Sequence, residues 1–327
     1  MAQTHLRRFS VIPPIAGLIL LTAAAVAPAA EPDAEKTITE HPNEMIEVHG
    51  AELLTEGGRT VDWSAANNRI LIGQRGVDRY YNVLSITPNG LKRQSLTLRK
   101  ERRAHRQHNG CASWHPTGEY AVFTSQNPGS TAYSASLPGT GLNSNLWLTD
   151  SDGREYWQLT DIKTRYTGAR GVVYPHFSPD GSRLFWAGNT GYNPPEYVWG
   201  ERELYLANFR LDDEGEPRLE NEFAFQPGEQ KEFFESHGFT PDGTSVLFSA
   251  NTRQDQSVFG MDICKFNLQT NELTLLTDSV NTWDEFASVS PDGRKIVWMS
   301  NDGMNQHRTF GTRNWQNYLR SELWIMN

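Results

Sequence analysis

A chain of 327 residues with 37% hydrophobic and 21% charged residues holds enough apolar material for one or two cores and too little for a bundle of membrane spans. Its net charge of -9 argues against generic nucleic-acid binding, and two cysteines without a CxxC exclude a disulfide framework, thioredoxin-like redox chemistry and a thiolate zinc site. Ten Trp, 11 Tyr and 15 Phe suit a strand-rich core.

Taken in chain order, residues 1–30 read as a cleaved secretory signal peptide. Arg7 and Arg8 precede an apolar run from Phe9 to Val26, and Ala27, Pro28, Ala29 and Ala30 supply the small residues a signal peptidase accepts. Pro13, Pro14 and Gly17 interrupt the run, which disfavours an uncleaved anchor. After cleavage no stable membrane span is expected, and the protein is placed in the periplasm or outside a bacterial cell. Residues 31–46 are charged and aperiodic and read as a flexible leader. Residues 47–327 read as one domain, expected to be monomeric.

That domain is built on a repeated phrase. Phe177 to Trp186 reads FSPDGSRLFW, Phe239 to Phe248 FTPDGTSVLF, Val289 to Trp298 VSPDGRKIVW and Trp114 to Phe123 WHPTGEYAVF. Trp63 to Ile72, WSAANNRILI, is an eroded copy in the right place. The chemistry is that of a hairpin, in which Pro presets the turn, Asp and Gly form its tip and the apolar flanks are strands. A second phrase, strand, polar turn, strand, starts near Tyr80, Asn145, Glu203 and Asp262. Each unit therefore has four strands, and the spacing suits propeller blades. The segment ELWIMN from Glu322 ends at a third strand, while AELLT from Ala51 matches a fourth. Pairing residues 47 to 54 with 322 to 326 would close a split fifth blade and cover its edge. The expected fold is all-β, a β-propeller of five four-stranded blades.

These phrases resemble the TolB-like, WD40-like propeller repeats (PD40 type) of bacterial exported proteins. The resemblance covers residues 47 to 327 and implies a propeller. It is compatible with a protein-binding scaffold like TolB, and also with glycan-active enzymes such as oligogalacturonate lyases. Prolyl oligopeptidase-type peptidases carry similar repeats, but no GxSxG nucleophile turn occurs in this chain.

In up-and-down blades, the second-to-third loops and the inter-blade connections share one face. Here those segments are the long ones, Gln126 to Asn145, Gly188 to Arg202 and Asn301 to Ser321, which marks that face as the working face. Residues just before each repeat should ring the channel there: His105, His108, Arg170, His176, Glu235, His237, Asp284 and Glu285. His108, His176 and His237 are candidate metal ligands, for a divalent Mn, Ca or Zn ion, or candidate bases. Glu235, His237, Asp284 and Glu285 are the catalytic candidates. Alternation along a strand sets His176 and His237, and likewise Asp284 and Glu285, on opposite faces, which fits inter-blade packing as well. Were the chain a glycosidase, Glu235 and Asp284 would be its carboxylates.

Tyr192, Trp199, Trp283 and Trp315, with Tyr133 and Tyr197, lie on the long-loop side and are candidates for stacking on sugars or anchoring a protein, with His105, His108 and Arg170 beside them. The basic run Lys92, Arg93, Arg99, Lys100, Arg102, Arg103 and Arg106 would attract an acidic glycan, or is simply a solvated strand and loop. Asn189, Asn251 and Asn301 recur three residues after the second-strand aromatic, as a repeated backbone cap would. Cys111 and Cys264 belong to different blades and read as free buried thiols. The leading functional reading is an exported scaffold that binds an envelope or secreted protein, or an acidic glycan. The alternative is a glycan-active enzyme resembling oligogalacturonate lyase, in which channel-mouth histidines hold the metal.

Overall fold

The Pro-Asp-Gly phrases fold into the turns their chemistry implies. In the computed structural model, residues 53–98, 107–130, 138–192, 200–229, 233–256, 260–303 and 320–327 are described. At the third repeat, Gly181 N donates to Ser178 O (2.9 Å), Asp180 Oδ1 accepts from Ser182 N (3.0 Å), and Gly181 takes φ +74°. The hydroxyl of Ser178 and the amide of Ser182 stabilise the ionised carboxylate and hold Asp180 down to about 2. Asp242 and Asp292 repeat the arrangement, accepting from Thr244 N and Arg294 N. In the eroded first copy Asn67 takes the Asp role, its Oδ1 accepting from Arg69 N (3.0 Å), and Asn68 takes the left-handed position at φ 52°. Asn tolerates that conformation better than most residues, so the turn survives the loss of Pro, Asp and Gly.

Each turn joins the two inner strands of an antiparallel meander. Blade 1 contains β1 (Gly58–Ser64), β2 (Arg69–Arg75), β3 (Tyr81–Ile86) and β4 (Arg93–Ser95). Blade 2 contains β5 (Asn109–Trp114), β6 (Tyr120–Gln126), β7 (Ser144–Asp150) and β8 (Tyr156–Gln158). Blade 3 contains β9 (Gly171–Phe177), β10 (Arg183–Asn189), β11 (Arg202–Leu211) and β12 (Pro217–Phe225). Blade 4 contains β13 (Phe234–Phe239), β14 (Ser245–Ala250), β15 (Asp262–Asn267) and β16 (Leu273–Leu275). Blade 5 shows β17 (Asp284–Val289), β18 (Ile296–Ser300) and β19 (Glu322–Met326) among the described residues. The fold is thus the expected five-bladed β-propeller. No helix among the described residues is long and apolar enough to cross a membrane.

The core is a series of seams between successive blades. Leu71, Val83 and Leu96 of blade 1 meet Trp114 and Phe123 of blade 2. Val122, Leu146 and Leu148 then meet Phe177 and Trp186. Phe185, Leu204 and Leu206 meet Phe234 and Phe248, and Leu247 and Ile263 meet Trp298 and Trp324. Neighbours such as Val122 and Phe123 face opposite seams because β6 alternates, which is why the second strand of each repeat is an unbroken apolar triplet. Each large side chain buried this way stabilises by roughly 1.5–3 kcal/mol.

Caps close the long-loop ends. Gln126 Oε1 accepts from His108 N (3.1 Å), Asn251 Oδ1 from Phe233 N (3.0 Å) and Asn301 Oδ1 from Trp283 N (2.8 Å). The repeated Asn is therefore a backbone cap in blades 4 and 5, with Gln126 in the same role in blade 2. Cys111 and Cys264 are free and buried, as expected. Of the segment expected to close blade 5, Leu53 and Leu54 lie in no strand, and Leu54 packs on Ile70, Ile72 and Ile86 of blade 1. Residues 1–52, with the signal, the leader and the rest of that segment, lie outside the described residues.

Candidate functional site at the long-loop end of the channel

A β-bulge interrupts every innermost strand at nearly the same point of the repeat. The ladder shifts between Arg59 and Val61, Gly110 and Ser113, Ser236 and Gly238, and Glu285 and Ser288, and opposite Phe185 to Ala187 in β9. Thr60, Cys111, Tyr174 and Phe286 occupy the left-handed region at φ 41°, 49°, 51° and 57°, each five residues before its Pro marker or the Ala65 equivalent. Bulges re-aim side chains, and non-glycine residues hold such a φ only where surrounding structure imposes it. Strict alternation, the basis for setting neighbouring histidines on opposite faces, does not apply across these bulges.

Just on the long-loop side of the bulges, four charged or polar groups meet. Arg202, opening β11, is only 1% exposed. Its Nη1 donates to Glu235 Oε2 (2.7 Å), and its Nη2 donates to the carbonyls of Gly139 (2.8 Å) and Thr140 (3.2 Å) in the long loop of blade 2. The guanidinium carbon lies 4.8 Å over the Phe233 ring. Glu285 Oε2 accepts from Trp283 Nε1 (2.9 Å), and the Glu285 carboxyl lies close enough to Glu235 to feel its charge. Two ionised carboxylates buried side by side repel one another, which favours a proton on one of them. Burial, and then the charge of Glu235, hold the Glu285 carboxyl well above the usual range. Burial raises Glu235 too, but Arg202 opposes the shift. The consistent assignment is a neutral Glu285 beside an ionised Glu235 that is paired with Arg202.

This belt crosses four blades, from the blade 2 loop through Arg202 and Glu235 to Glu285. The expected carboxylate partner of Glu235 was Asp284; the structure brings Glu285 to it instead. Asp284 pairs across the ladder with Ser300, and burial raises it to about 6. Arg202 was not anticipated, because a lone Arg opening an apolar strand has no signature in the repeat. Its signal, visible in hindsight, is its place at the first strand residue after a long loop.

The histidines separate into two groups. His108 Nδ1 accepts from Tyr81 N (3.2 Å) and its ring lies 4.9 Å from Tyr80, at the blade 1 edge. His237 Nε2 bonds Ser249 Oγ (2.6 Å), and its ring is 6.1 Å from Phe286. His176 lies against Gly238, where an added Cβ would stand 3.6 Å from the imidazole. Burial lowers His176 to about 4, and burial together with His176 lowers His237 to about 3, so both are neutral at physiological pH. Among the described residues no group of three or more His, Cys, Asp or Glu is placed to hold a metal.

The remaining candidates divide by exposure. Trp283 is 4% exposed, with its indole N–H on Glu285. Tyr192 is 61% exposed, and the exposed Arg170 runs its stem past the neighbouring Gly191. These two form a rim patch on blade 3. His105, Trp199 and Trp315, with Tyr133 and Tyr197, lie outside the described residues.

No family profile and no curated protein sequence matches the chain. Among solved structures it is similar to a protein assigned as TolB from Agrobacterium tumefaciens, at 17% identity and TM-score 0.49 over 75% of this chain and 70% of that one. It is also similar to TolB from Acinetobacter baumannii, at 16% identity and TM-score 0.48 over 73% of this chain. There the match spans about half of the other protein's length, 49%. A puromycin hydrolase is similar at 11% identity and TM-score 0.47, over 76% of this chain and 36% of that one. The propeller assignment rests on the sheets themselves and not on these similarities.

Proposed function

We propose that this chain is an exported propeller that serves as a binding scaffold, holding an envelope or secreted protein, or an acidic glycan, against its long-loop face. The observation that carries the reading is the division of labour on that face. Arg202, Glu235, Glu285 and Trp283 are buried, Arg202 bonded to Glu235 and Trp283 to Glu285, so they brace the blades, while Arg170 and Tyr192 stand exposed on the rim. Arg and Tyr are residue types that dominate binding energy when a partner covers them. Export agrees with the signal-like first thirty residues, and the site of action is the periplasm or the exterior.

The test is retention of envelope components on the immobilised chain, identified by mass spectrometry, compared with an Arg170→Glu, Tyr192→Ala variant. Retained species should fall at least tenfold with an unchanged unfolding midpoint. Equal retention by the variant retires the blade 3 rim as the contact.

A second reading, a glycan-active enzyme, has the Glu235 and Glu285 pair in its favour. A protonated carboxyl beside an ionised one can donate and accept protons in turn. In this form the acid–base work falls to the carboxyls, with no part required of His108, His176 or His237. Turnover of acidic oligosaccharides that disappears in Glu285→Gln would establish it, and no turnover in the parent protein would remove it.

A further inference from the structure

Charge is unevenly distributed along this acidic chain. Among the described residues, 53–98 hold 6 Lys and Arg against 3 Asp and Glu, whereas 201–229 hold 9 Asp and Glu against 3 Arg. The first stretch is blade 1, and the second is the outer half of blade 3. A local excess of cations lets a protein of net negative charge attract anions at that part of its surface.

Within blade 1, cations gather at the turn from β2 to β3, on the long-loop face. Arg75 Nε donates to the Arg79 carbonyl (3.0 Å), tying the two ends of the turn together. Arg59 lies with its guanidinium carbon 4.6 Å over the Tyr81 ring. The carboxylate of the turn, Asp78, accepts from Tyr80 N (3.2 Å). Arg75 and Arg79 are exposed and form no salt bridge among the described residues, whereas Arg154, Arg210, Arg218 and Arg294 each reach a carboxylate. His108 enters the same cluster from blade 2. Its Nδ1 accepts from Tyr81 N, so the proton of the neutral ring is on Nε2. Burial, and then the charge of Arg75, keep the ring neutral down to about pH 4, which makes it an N–H donor and not a further cation.

We propose that Arg59, Arg75, Arg79, Tyr80 and His108 form a docking surface for a polyanionic polysaccharide bearing sulfate or carboxylate groups. The inference rests on the scaffold reading and names a partner class for it. The exposed guanidinium groups of Arg75 and Arg79 offer forked donors that match sulfate and carboxylate oxygens. The Tyr80 ring, beside the imidazole, supplies the aromatic surface on which a sugar face packs. Several cations grouped beside an aromatic ring suit a repeating polymer better than a single small anion.

The test is the affinity of the purified chain for dextran sulfate and for neutral dextran as NaCl is raised. Dextran sulfate should bind and neutral dextran should not, with affinity falling as salt increases. Arg75→Glu with Arg79→Glu should weaken binding at least tenfold and flatten the salt dependence, with the unfolding midpoint unchanged. Arg210→Glu with Arg218→Glu, on blade 3, should bind as the parent does. Undiminished binding in the blade 1 variant, or equal loss in both variants, overturns the proposal. Duplex DNA bound as tightly as dextran sulfate, and lost in the same variant, overturns the polysaccharide assignment in favour of a generic polyanion surface. Failure here leaves the scaffold reading intact, since that reading is tested at Arg170 and Tyr192.

Discussion

A Glu285 carboxyl held neutral beside Glu235 has consequences that a single ion pair would not. If Glu285 is neutral in the folded protein, Gln at that position imitates the uncharged carboxyl, and its amide oxygen can still accept from Trp283 Nε1. Glu285→Gln should therefore stay within about 1 kcal/mol of the parent at pH 7. Glu235→Ala instead leaves Arg202 buried without its carboxylate, and should cost about 3–5 kcal/mol. The pH dependence separates the two cases further. A carboxyl whose folded pKa is raised binds more protons folded than unfolded, so its contribution falls as pH rises from the ordinary carboxyl range through the raised value. Urea unfolding followed from pH 5 upward should show this loss in the parent and a flatter profile in Glu285→Gln. An identical slope in both would place the proton elsewhere.

His176 and His237 act in the opposite direction. Their folded pKa values, lowered to about 4 and about 3, lie below the unfolded value near 6.5. The unfolded chain then binds more protons than the folded one, so stability is complete above about pH 6.5 and declines as pH falls toward 4. His237→Gln, which keeps a polar contact for Ser249 and removes the titration, should reduce the loss of urea midpoint between pH 7 and pH 4.5. The readable part of this site was its residue types: a Glu, His or Asp just before each repeat points to the channel mouth in any propeller. Glu235 and Glu285 share a repeat position, six residues before Pro241 and Pro291, whereas Arg202, which binds Glu235, comes from a strand in another blade and carries no mark in the repeat.

The hairpin is the element that the sequence describes best, since its chemistry is local. Pro, Asp and Gly form a turn through contacts within six residues, and the drifted copy at Asn67 and Asn68 forms it with amide groups alone. The glycines at the tips nevertheless differ in what a side chain would meet. Gly181 (φ +74°) and Gly243 (φ +69°) both occupy the left-handed region, where a Cβ costs about 1–2 kcal/mol. At Gly181 the added carbon would also stand 2.3 Å from His115 Nε2, a ring packed edge-on against Phe177, whereas at Gly243 it meets the tip of Arg183 at 3.3 Å. Gly181→Ala should therefore be the more destabilising of the two in urea unfolding, by at least about 1 kcal/mol. Equal losses would mean that His115 moves aside freely. The bulges are the elements that the sequence did not disclose. Cys111, Tyr174 and Phe286 carry no glycine-like mark of a positive φ, and their conformation is imposed by the inner strands packed on either side.

At the scale of the whole molecule, stability resides in seams, and the repeat register says which ring covers which blade. In blades 2 and 3 the aromatic two residues before the marker packs back onto the preceding blade. Trp114 lies among Leu71 and Val83 of blade 1, with its indole N–H on Arg69 O (3.1 Å), and Phe177 lies among Val122 and Leu148 of blade 2. They are 6% and 9% exposed. Trp63 holds the same position in blade 1 and is 59% exposed, its indole N–H reaching only the Asn68 side chain of its own turn. Identical residues at equivalent sites therefore have unequal energetic weight, which a sequence repeat cannot reveal because it records position without neighbours. Trp114→Ala should cost about 3–5 kcal/mol, the range for large-to-small changes in a packed core, whereas Trp63→Ala should cost about 1 kcal/mol or less. Urea unfolding of the two variants decides it. Comparable losses would show that Trp63 is covered in solution, and would place a packed partner on the exposed side of blade 1.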